Sequence, residues 1–247
     1  TIEEVSAPSG YKKLDDTYKF KVFNYDNKTK TVNIYNMPLR YYITIKKEFE
    51  KYERLEETPE GVKAIYGTKP ADDVIYGLYA NENIYNVDGD TLYVKDELIA
   101  QIPIQNGTAI YDKVPYGNYY LKELECPKEY ELNSDIVEIS LKDNASSNID
   151  LYFLNSIKKG NIKIIKLDNE IGLEGAKFKF KGKNYVSPIV ITSDKDGYIN
   201  IEDIPYDTYL LTEIQAPEGY KIDGEEKSIV LNTTNEVYRF YNEKEEE

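Results

Sequence analysis

The sequence predicts an all-β protein built from more than one compact unit. Three observations lead there. Tyr supplies 25 residues and Ile is abundant, while Trp and His are absent and Met occurs once, and Tyr and β-branched side chains suit a pleated, half-buried surface. Gly and Pro recur at short intervals, as turns between short strands require. One segment also recurs three times along 247 residues, a length that exceeds one ordinary domain.

The same composition excludes several function classes. Asp and Glu total 45 against 31 Lys and Arg, a net charge of -14, so nucleic acid and anionic membrane surfaces would repel most faces. Without His the commonest general base and metal ligand are missing, which disfavours triad hydrolases and zinc enzymes. No metal or cofactor is expected. Cys126 is the one cysteine, so no internal disulfide can staple the fold. No apolar run approaches the ~18 residues of a membrane span, and direct membrane insertion is not expected. Neither a signal peptide nor a carboxy-terminal sorting sequence is recognisable, so such segments are expected to lie outside these residues or to have been removed.

The recurring segment reads TIEEVSAPSGY from Thr1, YYLKELECPKEY from Tyr119 and LLTEIQAPEGY from Leu210. Each places a Glu four residues before a Pro: Glu4, Glu123 and Glu213. Each is followed by a strand-like stretch ending in Asn, namely VNIYN to Asn36, IDLYFLN to Asn155 and VYRFYN to Asn242. The residue numbers of Glu and Asn differ by 32, 32 and 29. Upstream of the second and third copies, ITIKK (Ile43 to Lys47) and IKIIK (Ile162 to Lys166) each end an alternating strand in Lys.

Taken in order, residues 1–38 carry Glu4 and Asn36 but no preceding Lys strand, and read as the carboxy-terminal remnant of a domain. Two explanations stand: a boundary that cuts through that domain, or completion by a Lys-bearing strand from elsewhere. Residues 39–157 hold Lys47, Glu123 and Asn155, with a long charged stretch from Glu48 to Asp72 that predicts a loop or an extra element. Residues 158–247 hold Lys166, Glu213 and Asn242.

Strand parity says where these side chains go. Residues i, i+2 and i+4 share a face, which groups Ile43, Ile45 and Lys47, and likewise Ile162, Ile164 and Lys166. It also groups Leu151, Phe153 and Asn155, and Tyr238, Phe240 and Asn242. One such Lys would be read as snorkelling from a strand end. Two, each followed by Glu and Asn in the same order, point to burial.

Burial disfavours charge on both an amine and a carboxyl. A neutral Lys amine is a nucleophile, and a protonated Glu beside the Asn carbonyl can donate to it, opening its carbon to attack with loss of ammonia. The predicted products are Lys47–Asn155 and Lys166–Asn242 amides, formed once, with Glu123 and Glu213 promoting them. Asn36 is left without a lysine. This is single-turnover chemistry rather than enzyme activity.

The motifs IKIIKLD, LEGAKFKF, DGYINIEDIPYDTYLLTEIQAPEGY and Asn242 in the last part, and VIYGLYANENI, VPYGNYYLKELECP and Asn155 in the middle, resemble the collagen-adhesin B-type (CnaB) repeats, also seen in SpaA-like pilins of Gram-positive bacteria. The resemblance covers nearly all of residues 41–247. It implies tandem prealbumin-like, Ig-like β-sandwiches with intramolecular isopeptide bonds, secretion to the cell wall or cell surface, neighbouring repeats of the same protein as partners, and a stalk role in a wall-anchored or pilus protein. The alternatives are an adhesin that binds a host matrix protein or glycan, and a carbohydrate-active accessory module. The middle part departs from the pattern, with Cys126 where Ala7 and Ala216 stand and Lys128-Glu129-Tyr130 where the others have x-Gly-Tyr.

Other signals read as structure. TSDKDGYINIED (Thr192 to Asp203) faintly resembles a calcium loop, but Thr192 stands where the first Asp should be, so a tight turn is expected. Cys126 reads as a small filler in an Ala position. The pairs Glu56-Glu57 and Asp72-Asp73 read as solvated surface rather than a glycosidase couple.

Overall fold

A computed structural model describes residues 1–21, 29, 31–59, 61–86, 88–142 and 148–246. Among these, every regular element is a strand. The chain divides into two compact units whose segments interleave: Thr1–Lys47, Pro70–Pro127 and Leu132–Phe153 form one, and Glu48–Lys69, Lys128–Glu131 and Leu154–Glu247 the other. Each is a sandwich of two sheets.

The longer strands, numbered along the chain, are β1 (Tyr41–Thr58), β2 (Gly61–Pro70), β3 (Val74–Ala80), β4 (Leu98–Ile104), β5 (Thr108–Val114), β6 (Gly117–Glu125), β7 (Ile136–Leu141), β8 (Asn148–Asn155), β9 (Lys159–Asp168), β10 (Lys177–Gly182), β11 (Ile189–Thr192), β12 (Tyr198–Pro205), β13 (Asp207–Gln215), β14 (Lys227–Leu231) and β15 (Asn235–Tyr241). In the first unit one sheet has the order β4-β3-β6-β7, and in the other the start of β1 pairs with β5 and β8. In the second unit the order β11-β10-β13-β14 makes one sheet, and β2, β12, β9 and β15 are neighbours in the other.

Alternation decides what lies between the sheets. Along β9, Ile162, Ile164 and Lys166 are buried, and along β13, Tyr209, Leu211 and Glu213. The first unit repeats this with Ile43, Ile45 and Lys47 on β1 and Tyr119, Leu121 and Glu123 on β6. In both, the buried Tyr at the head of the Glu strand donates its hydroxyl to a Pro carbonyl four residues back, Tyr119 to Pro115 at 2.8 Å and Tyr209 to Pro205 at 2.6 Å. Buried phenols need such partners.

The stretch from Glu48 is the extra element the sequence predicts, and it is a hairpin rather than a loop. The rest of β1 returns as β2, which pairs parallel with β12, Gly61 opposite Asn200. Val62 and Ala64 join the second unit's core, and Tyr52, Leu55 and Tyr66 pack against it. Position 61 demands glycine: a Cβ there would lie 2.0 Å from the Asn200 carbonyl oxygen, and its φ is +148°. Glu50 fastens the base by accepting from the Ile157 backbone and pairing with Lys159, both at 3.1 Å.

The calcium-like segment is a turn. Asp194 accepts the Asp196 and Tyr198 amides on its own carboxylate at 2.9 and 2.8 Å, and no metal-binding group of His, Cys, Asp or Glu occurs among the described residues. One predicted strand is missing: residues 31–36, VNIYN included, have no regular structure. The equivalent β15 has β9 as its pairing partner, and the described residues among 1–38 contain no counterpart of β9.

Candidate functional site

Among the described residues seven polar or charged side chains are buried, and six are Lys47, Glu123, Asn155, Lys166, Glu213 and Asn242. The seventh, Ser193, accepts the Ala176 amide and donates to the Leu173 carbonyl. Burying charge is costly unless the groups meet one another.

They meet most fully in the second unit. β9 and β15 run parallel with Lys166 opposite Phe240, and the Asn242 amide donates to the Leu167 carbonyl at 3.2 Å, holding Asn242 against the lysine strand. Lys166 Nζ lies 3.1 Å from Glu213 Oε1 and donates a close hydrogen bond to Asn242 Oδ1. Asn242 Nδ2 donates to Glu213 Oε1 at 3.0 Å, and the Asp223 amide donates to Glu213 Oε2 at 2.8 Å. The Phe178 ring stands 5.4 Å from the amine. Burial drives the Lys166 pKa below its ordinary 10.5, against the hydrogen bond and charge of Glu213. The void among Lys166, Phe178, Glu213 and Phe240 is about 10 Å³, room for one water at most. No outside substrate fits.

In the first unit Lys47 Nζ lies 2.8 Å from Glu123 Oε2, which also accepts the Tyr76 hydroxyl at 3.0 Å. The amine sits 5.6 Å from the rings of both Tyr76 and Phe153. Burial again lowers the lysine pKa and raises that of Tyr76, with Glu123 adding to the rise. Asn155 is 2% exposed at the end of β8, two residues past Phe153, where this unit's segment ends. Cys126 is half-buried.

Residues 1–38 hold the third Glu and Asn in the geometry of the second unit. Asn36 Nδ2 donates to Glu4 Oε1 at 2.7 Å, and the Leu14 amide, ten residues on, donates to Glu4 Oε2 at 2.7 Å, as Asp223 does to Glu213. These bonds hold the Glu4 carboxyl below the usual carboxylate range, Leu14 contributing most. Tyr11 pairs with Pro38, as Tyr130 pairs with Ile157 and Tyr220 with Lys244.

The arrangement differs from expectation in one respect. Glu213 faces the Asn242 amide nitrogen, and the lysine faces the carbonyl oxygen. The carboxyl thus meets the amide nitrogen rather than the oxygen. Sequence reasoning also missed Tyr76 and Phe178. Both lie directly opposite the Glu in the adjacent strand, Tyr76 opposite Glu123 and Phe178 opposite Glu213, and an aromatic at that alternating position in VIYGLYA and KFKF was the available signal.

The model of the SpaA prealbumin-like fold domain matches residues 68–153 and again 160–244. The chain belongs to that family. Among solved structures, this SpaA-type chain is similar to the Bacillus anthracis TIE protein at 19% identity and a TM-score of 0.57, over 85% of this chain and 35% of that one. It therefore spans about a third of the length of that relative. It is also similar to GBS52, the minor pilin of Streptococcus agalactiae (20% identity, TM-score 0.36, 84% of this chain and 97% of that one). A third is the shaft pilin SpaA of Lactobacillus rhamnosus GG (D295N mutant; 16% identity, TM-score 0.32, 82% and 98%). No curated protein matches the SpaA-type chain.

Proposed function

We propose that this chain is a structural stalk module of a Gram-positive cell-surface or pilus protein, whose domains lock themselves by Lys–Asn isopeptide bonds. The division at residues 38 and 157 belongs to the same reading. The observation that carries it is the buried contact of Lys166 with both Glu213 and Asn242, three costly groups with no substrate-sized space between them.

The chemistry needs only these side chains. Glu213 takes the ammonium proton, and the neutral Lys166 amine attacks Cγ of Asn242. In the tetrahedral adduct Glu213 gives its proton to the Nδ2 leaving group and takes the second proton from the former amine nitrogen, so that one C–N bond forms, another breaks, ammonia departs and a neutral amide remains beside the protonated carboxyl. Proximity within the core supplies the acceleration. The aromatic ring beside each amine excludes water and favours the uncharged lysine. The same scheme extends to Lys47, Glu123 and Asn155. The event happens once per domain, and no catalytic turnover follows.

Intact mass tests this directly. The folded chain is expected to weigh two ammonias less than its sequence, and Glu213→Ala to regain one, with peptide mapping placing the cross-links at Lys166–Asn242 and Lys47–Asn155. A full sequence mass in correctly folded protein overturns the reading.

A further inference from the structure

We propose that Lys227, paired with Asp223, is a positioning residue that fixes the pH range over which the Lys166–Asn242 amide forms. This rests on the reading above and extends it to charges outside the three reacting side chains.

Parity on β14 puts Lys227 on the core side, in line with Ile229 and Leu231, each 1% exposed. It stands opposite Leu211 on β13, two residues before Glu213. An inward lysine at a strand end is costly without partners, and this one has Asp223 at 3.4 Å and a closer contact with Glu225. The backbone amide of Asp223 meanwhile donates to Glu213 Oε2 at 2.8 Å. One turn thus carries both the donor that holds Glu213 and the carboxylate that holds Lys227.

The small void beside Lys166 joins the two groups, since Asp223, Glu225 and Lys227 line it together with Lys166 and Glu213. The inner pair is 1% exposed, whereas Lys227, Asp223 and Glu225 are 34, 44 and 74% exposed. The ionic cluster therefore stands between the reacting pair and solvent. From β10 and β15 the pair meets only the uncharged rings of Phe178 and Phe240 among the residues lining the void, and Glu226 turns instead to Lys181 at 3.4 Å. Glu225 holds the Lys227 amine charged, above its ordinary pKa. Asp223 favours a proton on Lys166, and Lys227 opposes it.

The first unit has the turn without these charges. Val137 stands opposite Leu121, as Lys227 does opposite Leu211, and Asn133, ten residues after Glu123, takes the place of Asp223. Asn133 accepts the Asp135 amide at 2.8 Å, as Asp223 accepts that of Glu225 at 3.2 Å. Building the turn thus requires neither Asp223 nor Lys227.

Bond formation needs one proton shared between Lys166 and Glu213. A second proton leaves no neutral amine, and none leaves no acid for the departing ammonia, so the rate should trace a bell against pH. A positive charge beside the pair lowers both apparent pKa values, and a negative one raises them. Without Lys227 the Asp223 carboxylate is uncompensated, and the bell moves to higher pH.

The test uses the full chain, made in a brief cell-free pulse and moved into buffers of different pH. The Lys166–Asn242 cross-link is then timed by intact mass and peptide mapping. Lys227→Met should displace the acid limb upward, slowing the bond about tenfold at a fixed pH on that limb, as a shift of about one unit does. Asp223→Asn should displace it downward, the double variant should return to the parent profile, and Lys227→Arg should leave it unmoved. The Lys47–Asn155 profile in the same chains should stay in place. Should Lys227→Met fail to fold, the displacement in Asp223→Asn decides. Coincident profiles, a lower rate without displacement, or equal displacement at both bonds overturns this inference while leaving the proposed function standing. Absence of the Lys166–Asn242 cross-link from the folded parent refutes the proposed function itself.

Discussion

Replacing Lys166 with Met separates the proposed covalent link from everything else the lysine does. Methionine has similar length and no charge, so the variant removes the bond and the penalty of a buried amine together. Glu213 keeps its hydrogen bonds from Asn242 and Asp223. The proposed link joins residues 76 apart in sequence, for which the loop-entropy relation used for disulfides yields about 4.5 kcal/mol at 25 °C. In a domain of this size that lowers the melting temperature by roughly 20 to 35 °C. Calorimetry should show the second unit of Lys166→Met melting that far below the parent, with intact mass confirming the loss of one cross-link. Pulled from its ends, the variant should release on the order of 260 Å of chain from the freed residues at ~3.4 Å each, and the parent none of it. A variant that melts within about 5 °C of the parent refutes the reasoning, because a tether of this length cannot contribute so little.

Three further outcomes are expected. Glu213→Gln should fold, since an amide side chain can still accept from Asp223, yet show at least a ~100-fold slower appearance of the Lys166 cross-link by mass, the size of effect typical of a lost acid–base group; an unchanged rate assigns proton transfer elsewhere. Asn242→Ala leaves Lys166 unbonded, with its folded pKa depressed below 10.5 by burial. The unfolded chain then holds the proton more tightly, so the penalty is full below the folded pKa and fades as pH rises through 10.5. Denaturation midpoints of the variant should climb with pH across that window relative to the parent, whose amide does not titrate there, and parallel profiles would contradict this. Gly61→Val places a side chain against the Asn200 carbonyl, and a loss of ~1 to 3 kcal/mol is expected, read as lost hydrogen-exchange protection at residues 200–202; protection equal to the parent would show the hairpin is not held there.

Much of this was legible because strand parity is strict. A period of two places Lys166 with Ile162 and Ile164, and nothing in the fold overrides it. The same rule placed Lys47, Asn155 and Asn242 on buried faces without any knowledge of the sheets, and the recurring segment picked out Glu123 and Glu213. It failed for VNIYN, whose alternation is as good as that of VYRFYN, because a strand needs a pairing partner and the sequence pattern of one strand does not contain the other. It was silent on the hairpin, where Tyr52, Leu55 and Tyr66 are interspersed with Lys and Glu and have no neighbour in sequence to pack on. Their core is assembled from residues beyond 158. The orientation of Asn242 was also out of reach, since which end of an amide meets which partner depends on a register set by β9 and β15 together.

The pairing of Gly61 with Asn200 has a consequence in time. A polypeptide made or exported amino terminus first presents the hairpin long before β12 exists, so Val62 and Ala64 must wait with their apolar side uncovered until the rest of their core arrives. β9, β12 and finally β15 are then added to an edge already in place, and Asn242 comes last. On the proposed chemistry, the amide closes only when that final strand has docked beside the first. The bond would then be a receipt of completion, leaving a chain that stalled part-way chemically distinguishable, by one retained ammonia, from a chain that finished.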